Sequence, residues 1–265
     1  MKLNLNKTIK FLATCFIAVA LSSCSTYVKL VEVEAGNGKK DADKNILFEN
    51  DTVRVEYNLW GAGGRMNYRV YNKLNVPLYI NWFKSSYIKW DTKYSYTGDH
   101  RDLSFIPPHA YVENPVSYIL LREQSSATYA STSKSGKRIK IENVDIRNDK
   151  NATKESVAKT WTKSGKTTVY SKTYDKNSTP LAFRNFITVS TCESADECNN
   201  AKNLIFINND FYVKKMTEMK SKQFNGKGTK AKTYVKRGTK MVKVTTVIWS
   251  YPYTSGDSFY IPLSF

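Results

Sequence analysis

The stretch Thr52–Trp60 reads T-V-R-V-E-Y-N-L-W. In an extended chain Val53, Val55, Tyr57 and Leu59 fall on one side and Arg54, Glu56 and Asn58 on the other, the period-two signature of a strand with one buried face. Gly61–Gly64 then reads G-A-G-G, and beyond it Met66, Tyr68 and Val70 alternate with Arg65, Asn67 and Arg69. Two alternating runs joined by a glycine turn predict a β-hairpin.

The same pattern extends outward in both directions. A turn over Asn72–Asn75 precedes P-L-Y-I-N-W-F-K, where Leu78, Ile80 and Trp82 share one side and Pro77 opens the strand without costing an interior ladder bond. F-I-P-P-H-A-Y-V and P-V-S-Y-I-L-L-R follow, then L-A-F-R-N-F-I-T-V-S at 181–190, N-D-F-Y-V-K-K-M-T-E-M at 209–219, M-V-K-V-T-T-V-I-W from Met241 and S-F-Y-I-P-L-S-F from Ser258. Short strands between turn residues, with almost no helical periodicity, predict an all-β fold: an antiparallel β-sandwich of immunoglobulin-like type over residues 46–265. Residues 122–180 are rich in Ser, Thr and Lys and are expected to form a polar excursion, either an exposed hairpin or a weakly ordered loop, with a short helix over Ala152–Trp161. Pairing of 211–219 with 232–248 would make F-N-G-K-G-T-K a projecting cationic loop.

The N-terminus carries an address. Lys2, Lys7 and Lys10 precede the apolar run F-L-A-T-C-F-I-A-V-A-L, Phe11–Leu21, which is shorter than the roughly 20 residues a bilayer crossing needs. A basic start, a short apolar middle and small residues at its end describe a secretory signal segment, residues 1–23. Leu21, Ser22, Ser23 and Cys24 resemble the lipobox of bacterial lipoproteins, and loosely those of uncharacterised Bacteroidota envelopes. The resemblance implies that the Cys24 thiol receives a diacylglycerol and then becomes the first mature residue, acylated with chains such as palmitate. Ser25, in place of an aspartate, implies the outer membrane, with the periplasmic face and the cell surface both open. Residues 24–45 are then expected to be a lipidated tether, although Y-V-K-L-V-E-V-E within them alternates in part and also reads as a strand.

Three of the 41 basic residues and none of the 23 acidic ones lie before Cys24, so the mature chain would carry 38 cationic side chains against 23 anionic. Such an excess favours polyanions, which outside the cytoplasm means anionic glycans, lipopolysaccharide phosphates, anionic lipids or released DNA. Cytoplasmic nucleic acid is not an expected partner of an exported chain. The cations concentrate in Lys214, Lys215, Lys220, Lys222, Lys227, Lys230, Lys232, Lys236, Arg237, Lys240 and Lys243 against Glu218 alone, with Tyr212, Phe224 and Tyr234 interleaved. These residues through Lys240 are the expected anion-binding set, their alternative being a solvated strand face. Lys134, Lys137, Arg138 and Lys140 form a second cluster.

Once Cys15 leaves with the signal and Cys24 is acylated, Cys192 and Cys198 remain, an even pair expected to close C-E-S-A-D-E-C as a disulfide. Glu193, Asp196 and Glu197 in that loop lack the spacing of a calcium loop, and neither metal nor cofactor is expected. No G-x-S-x-G, H-E-x-x-H or phosphate-cradling glycine motif is present, so no catalytic residue is assigned. His100, in G-D-H-R-D, and His109 are the two histidines. A triad using His100 with Ser85, Ser86 or Ser104, or a carboxylate pair that the sequence does not single out, would make an envelope hydrolase acting on glycan or ester substrates, the enzymatic alternative. Asp51, Thr52 and Val53 resemble the D-[ST]-aliphatic acceptor of exported Bacteroidota proteins, which implies O-glycosylation at Thr52. The leading expectation is a non-enzymatic, lipid-anchored outer-membrane module that binds or assembles in the cell envelope, with envelope proteins as further candidate partners; a third alternative is a subunit of a surface fibre or secretion assembly.

Overall fold

The computed structural model describes residues 26–96, 103–113, 121, 141–192, 197–198, 204–238 and 240–263. Its strands, in chain order, are β1 (Tyr27–Ala35), β2 (Lys39–Lys40), β3 (Ile46–Glu49), β4 (Val53–Asn58), β5 (Asn67–Asn72), β6 (Leu78–Lys89), β7 (Thr92–Ser95), β8 (Leu103–Ile106) and β9 (Tyr111–Glu113). After a single 3-10 turn at Ile141–Asn143 come β10 (Thr153–Ala158), β11 (Lys166–Thr173), β12 (Ala182–Thr191), β13 (Leu204–Lys220), the one-turn helix α1 (Ser221–Asn225), β14 (Gly228–Arg237), β15 (Lys240–Trp249) and β16 (Ser258–Leu263).

The hairpin expected from Thr52–Trp60 forms, pairing β4 with β5 so that Val53 faces Asn72, Val55 faces Val70 and Tyr57 faces Tyr68. It is the centre of a smaller sheet, ordered β2-β3-β4-β5-β9. The larger sheet runs β10-β11-β13-β12-β6-β7, with β1, β16 and β8 paired to its members. The named strands pair antiparallel, with an isolated parallel bridge between Ala62 and Tyr260, and inward side chains of both sheets meet in one core that includes Val55, Tyr57, Val70, Trp82, Phe183 and Phe211. The antiparallel sandwich read from the alternating runs is therefore the observed architecture.

Two polar knots lie inside it. The Tyr57 hydroxyl accepts from the Asn185 amide at 2.8 Å and the Asn209 amide at 2.6 Å, and the Tyr96 hydroxyl donates to Asn185 Oδ1 at 2.5 Å. Nearer one end, Lys29 of β1, fully buried, donates from Nζ to the carbonyls of Ile141, Glu142 and Val144 and lies 3.4 Å from Glu218 Oε1. Glu218 is itself 2 % exposed, and its Oε2 accepts from Arg147 Nε at 3.2 Å. Buried polar groups must find partners, and here they clamp the 141–147 segment onto the sheet.

Three expectations are corrected. The folded domain reaches upstream of Ile46 and includes Tyr27–Ala35: β1 lies between β13 and β16 and is buried along most of its length, so the tether does not extend over it. Thr153–Ala158 is a strand, not part of a helix; β10 pairs with β11, which joins β13, so this part of the polar excursion is an edge hairpin of the main sheet. Residues 211–219 do not pair with 232–248. They belong to β13, whose neighbours are β12, β1 and β11, while β14 and β15 pair with each other in a separate two-stranded sheet. The stretch F-N-G-K-G-T-K is consequently the end of α1 and the start of β14, not a loop tip.

Candidate functional site

Most of the cationic region folds as a ribbon standing off the sandwich. Ten consecutive cross-strand pairs run from Gly228↔Trp249 to Arg237↔Lys240, about 33 Å of strand at ~3.3 Å per residue. Nearly every described side chain in it is exposed. Gly238, at φ 60, opens the connection between the strands, a backbone conformation that favours glycine.

The ribbon's root is buried and well packed. Phe224 of α1 is 1 % exposed and packs among Trp60, Tyr251, Tyr253 and Tyr260, with its ring centroid 4.7 Å from that of Tyr260. Gln223, also buried, accepts from the Thr160 N–H and donates to the Ala158 carbonyl and the Tyr253 hydroxyl. Gly226, at φ 67, sits where a Cβ would fall 2.3 Å from Ser250 Oγ, so the chain enters the ribbon through a position only glycine fits. The root also meets the residue just before β1, since the Ser221 N–H donates to the Thr26 carbonyl at 2.9 Å.

The expected anion-binding residues divide by environment. Lys214 is held by Glu34 at 2.5 Å, and the same carboxylate raises its pKa first through their hydrogen bond. Lys215 is half-buried in β13, and Lys220 and Lys222 flank the root. Lys227 enters the ribbon, and Lys230, Lys232, Lys236, Arg237 and Lys240 are on it, together with Lys243. From Met219 to Gly256 the sequence contains no Asp or Glu. The ribbon therefore carries cations along a stretch of chain that supplies no carboxylate.

A second surface feature is not legible in the sequence. On the outer face of the smaller sheet, Arg54, Glu56, Arg69, Tyr71, His109 and Tyr111 line a shallow depression of ≈ 330 Å³. Arg54 stacks over Tyr71 at 5.0 Å and Arg69 over Tyr111 at 5.7 Å, while Arg69 forks onto Glu56 at 2.7 and 3.1 Å. The rings are already capped by guanidinium groups, and the Arg69 charge is met by Glu56, so the depression offers an incoming anion less than the ribbon does. The outward alternation of Arg54, Glu56 and Arg69 was visible in sequence, but their meeting with Tyr111 of β9 depends on pairing across Val70↔Val112.

Cys192 and Cys198 are joined, with Cα atoms 5.5 Å apart, and both are buried beside Tyr79. Replacing both by serine is expected to lower stability by about 2 kcal/mol, the loop-entropy value for so short a ring. Thermal unfolding should then shift by about 5 °C. No change would mean that packing in the cluster, not the covalent closure, sets local stability.

Cys24, His100, the Lys134–Lys140 cluster, Glu193 and Asp196 lie outside the described residues. Of the serines weighed as partners for His100, Ser85 is fully buried and its hydroxyl donates to the Asn81 carbonyl while accepting from Thr188, Ser86 is buried too, and Ser104 accepts from the Trp82 indole at 2.8 Å. His109 is exposed with Nε2 2.7 Å from Asn75 Oδ1. Thr52 is half-exposed in the β3–β4 turn, where Asn50 Oδ1 accepts from the backbone of Thr52 and Val53. Among the described residues no cluster of three metal-ligating side chains occurs, and no helix is long and apolar enough to cross a membrane.

What the fold and site define is an antiparallel β-sandwich bearing a rooted cationic ribbon. No known protein family, curated protein or solved structure matches the chain.

Proposed function

We propose that this is a lipid-anchored outer-membrane lipoprotein, acting without catalysis as a binding module of the cell envelope and contacting an anionic glycan or lipid through its ribbon. The observation that carries this reading is the placement of Leu21–Ser22–Ser23–Cys24 directly after a basic start and a short apolar run. The geometry supports it: the first described residue, Thr26, hydrogen-bonds the root of the cationic ribbon, so an acyl group two residues upstream would hold that root close to a membrane. Each buried methylene contributes about 0.8 kcal/mol, and the several chains of a lipoprotein anchor it stably.

Washing isolated membranes at high salt tests this. Wild type is expected to stay with the membranes, because acyl anchoring is insensitive to ionic strength. Cys24→Ala is expected in the supernatant, because salt screens the charge contacts that remain. A variant that stays bound after the wash would remove the acyl anchor from the account.

A further inference from the structure

We propose that the distal end of the β14–β15 ribbon enters the headgroup region of an anionic lipid bilayer, with its cations on lipid phosphates and its apolar side chains among the upper acyl segments. This deepens the reading of the ribbon as the contact element and commits its ligand to lipid.

The pairing at the tip carries the argument. Its last four cross-strand pairs are Tyr234↔Lys243, Val235↔Val242, Lys236↔Met241 and Arg237↔Lys240. They hold four cations and four apolar residues, and the latter are open to water: Tyr234 63 %, Val235 46 %, Met241 63 % and Val242 38 % exposed. Cross-strand partners share a face, so Val235 and Val242 point one way while Tyr234 and Met241 point the other. The tip therefore presents apolar surface on both sides, which a sheet packing on one face would not need. A polyanionic glycan would match the cations but leave Met241 and the valines wet. An apolar protein groove would cover those side chains and strand the cations. The boundary of an anionic bilayer supplies phosphate and hydrocarbon within a few ångströms of each other and satisfies both.

Backbone chemistry sets the depth. A two-stranded ribbon has an unpaired row of N–H and C=O groups along each outer edge, and hydrocarbon gives such groups no partner. Water and headgroup oxygens do, so the tip lies at the interface and does not span the bilayer. Position agrees as well. Two residues of extended chain reach about 7 Å, which keeps the ribbon's root near an acylated Cys24, since Thr26 already bonds to Ser221. One anchor then holds the root while the acid-free stretch Met219–Gly256 faces the anionic leaflet as a second membrane contact.

The test uses residues 24–265 with Cys24→Ala, so that no acyl chain contributes; every described element is retained. Binding is measured by co-sedimentation with vesicles of phosphatidylcholine containing phosphatidylglycerol, and with phosphatidylcholine alone. Heparin chromatography reports contact with a soluble polyanion. One variant removes apolar surface at constant charge, Tyr234→Ser, Val235→Ser, Met241→Ser and Val242→Ser together. A second removes charge, Lys236→Gln, Lys240→Gln and Lys243→Gln. All seven positions are exposed, and circular dichroism verifies that the strands persist. The chain is expected to sediment with the anionic vesicles only. The apolar variant should lose at least about tenfold in vesicle affinity while eluting from heparin unchanged, and the charge variant should lose about a hundredfold on vesicles and weaken on heparin too.

Three results would overturn the proposal. Vesicle binding unaffected in the apolar variant would reduce the ribbon to a polyanion contact. Heparin retention without vesicle binding would leave the broader anion-binding reading standing while removing the bilayer. A concentration-dependent oligomer that disappears in the apolar variant would show that a second copy covers the tip.

Discussion

Glu218→Ala is expected to destabilise the fold by about 3–5 kcal/mol, the range for removing one partner of a buried ion pair. The carboxylate is the one described anion in contact with Lys29 Nζ, which has no exposed surface, and it also holds Arg147. Removing it leaves a buried ammonium in contact with carbonyl dipoles from Ile141, Glu142 and Val144, with only the weaker, more distant pull of the Glu142 and Asp145 carboxylates to offset its burial. Lys29→Met/Glu218→Leu should cost less than Glu218→Ala alone, because no charge is then stranded. The pH dependence separates electrostatics from lost packing. Burial lowers the Lys29 pKa, against the opposing pull of Glu218. A depressed lysine binds fewer protons folded than unfolded between its folded value and 10.5, so stability rises with pH across that window. Without Glu218 the depression deepens, and the penalty in Glu218→Ala should shrink from pH 7 toward pH 9 in urea unfolding. A loss that does not vary with pH would mean the cavity, not the charge, is responsible.

The same pair explains why β1 is hard to read. Y-V-K-L-V-E-V-E contains Lys29 at a position that reads as solvent-facing, and residues 28–31 are all buried, so the strand lacks a clean alternation. Its polar residue is compensated by Glu218, 189 positions away, a pairing no local pattern encodes. β10 fails for the opposite reason. T-K-E-S-V-A is almost wholly exposed on a sheet edge, so nothing apolar marks its period, and its helix-compatible residues dominate. β4 and β5 were legible because one face is buried and the other wet, which is the condition under which period two appears. Of the candidate site, the cations were visible as composition. Their ribbon was not, because β13 and β14 are separated only by α1, and the choice between pairing β13 with β15 and pairing β14 with β15 rests on β13 already having neighbours in the main sheet.

The Tyr57 knot leads to a second large effect, steep unfolding in alkali. Burial, the main cause in each case, raises the pKa of Tyr57, Tyr68 and Tyr96 above the ordinary value of 10.0, and pushes that of Tyr174 up to about 12. A raised folded pKa means that the native state keeps a proton which the unfolded chain has lost. The stabilisation is complete below pH 10 and disappears as pH climbs toward the folded values. Each such tyrosine contributes a slope of about 1.4 kcal/mol per pH unit, so the three most buried together give about 4 kcal/mol per unit. Lys29 opposes this only up to 10.5. A domain of ordinary stability, about 5–15 kcal/mol, is therefore expected to unfold cooperatively between about pH 11 and pH 14, with tyrosinate absorbance rising in step with the loss of β dichroism. Smooth ionisation of every tyrosine near pH 10 with the fold intact would contradict it. Tyr57→Phe distinguishes the cause: it deprives the amides of Asn185 and Asn209 of their acceptor and should cost about 1–3 kcal/mol at pH 7. It also deletes one titrating group, so its alkaline slope should be shallower by about 1.4 kcal/mol per pH unit. A variant less stable at neutral pH yet less sensitive to base is what a buried hydroxyl acceptor requires, whereas damaged packing alone would leave the slope as it was.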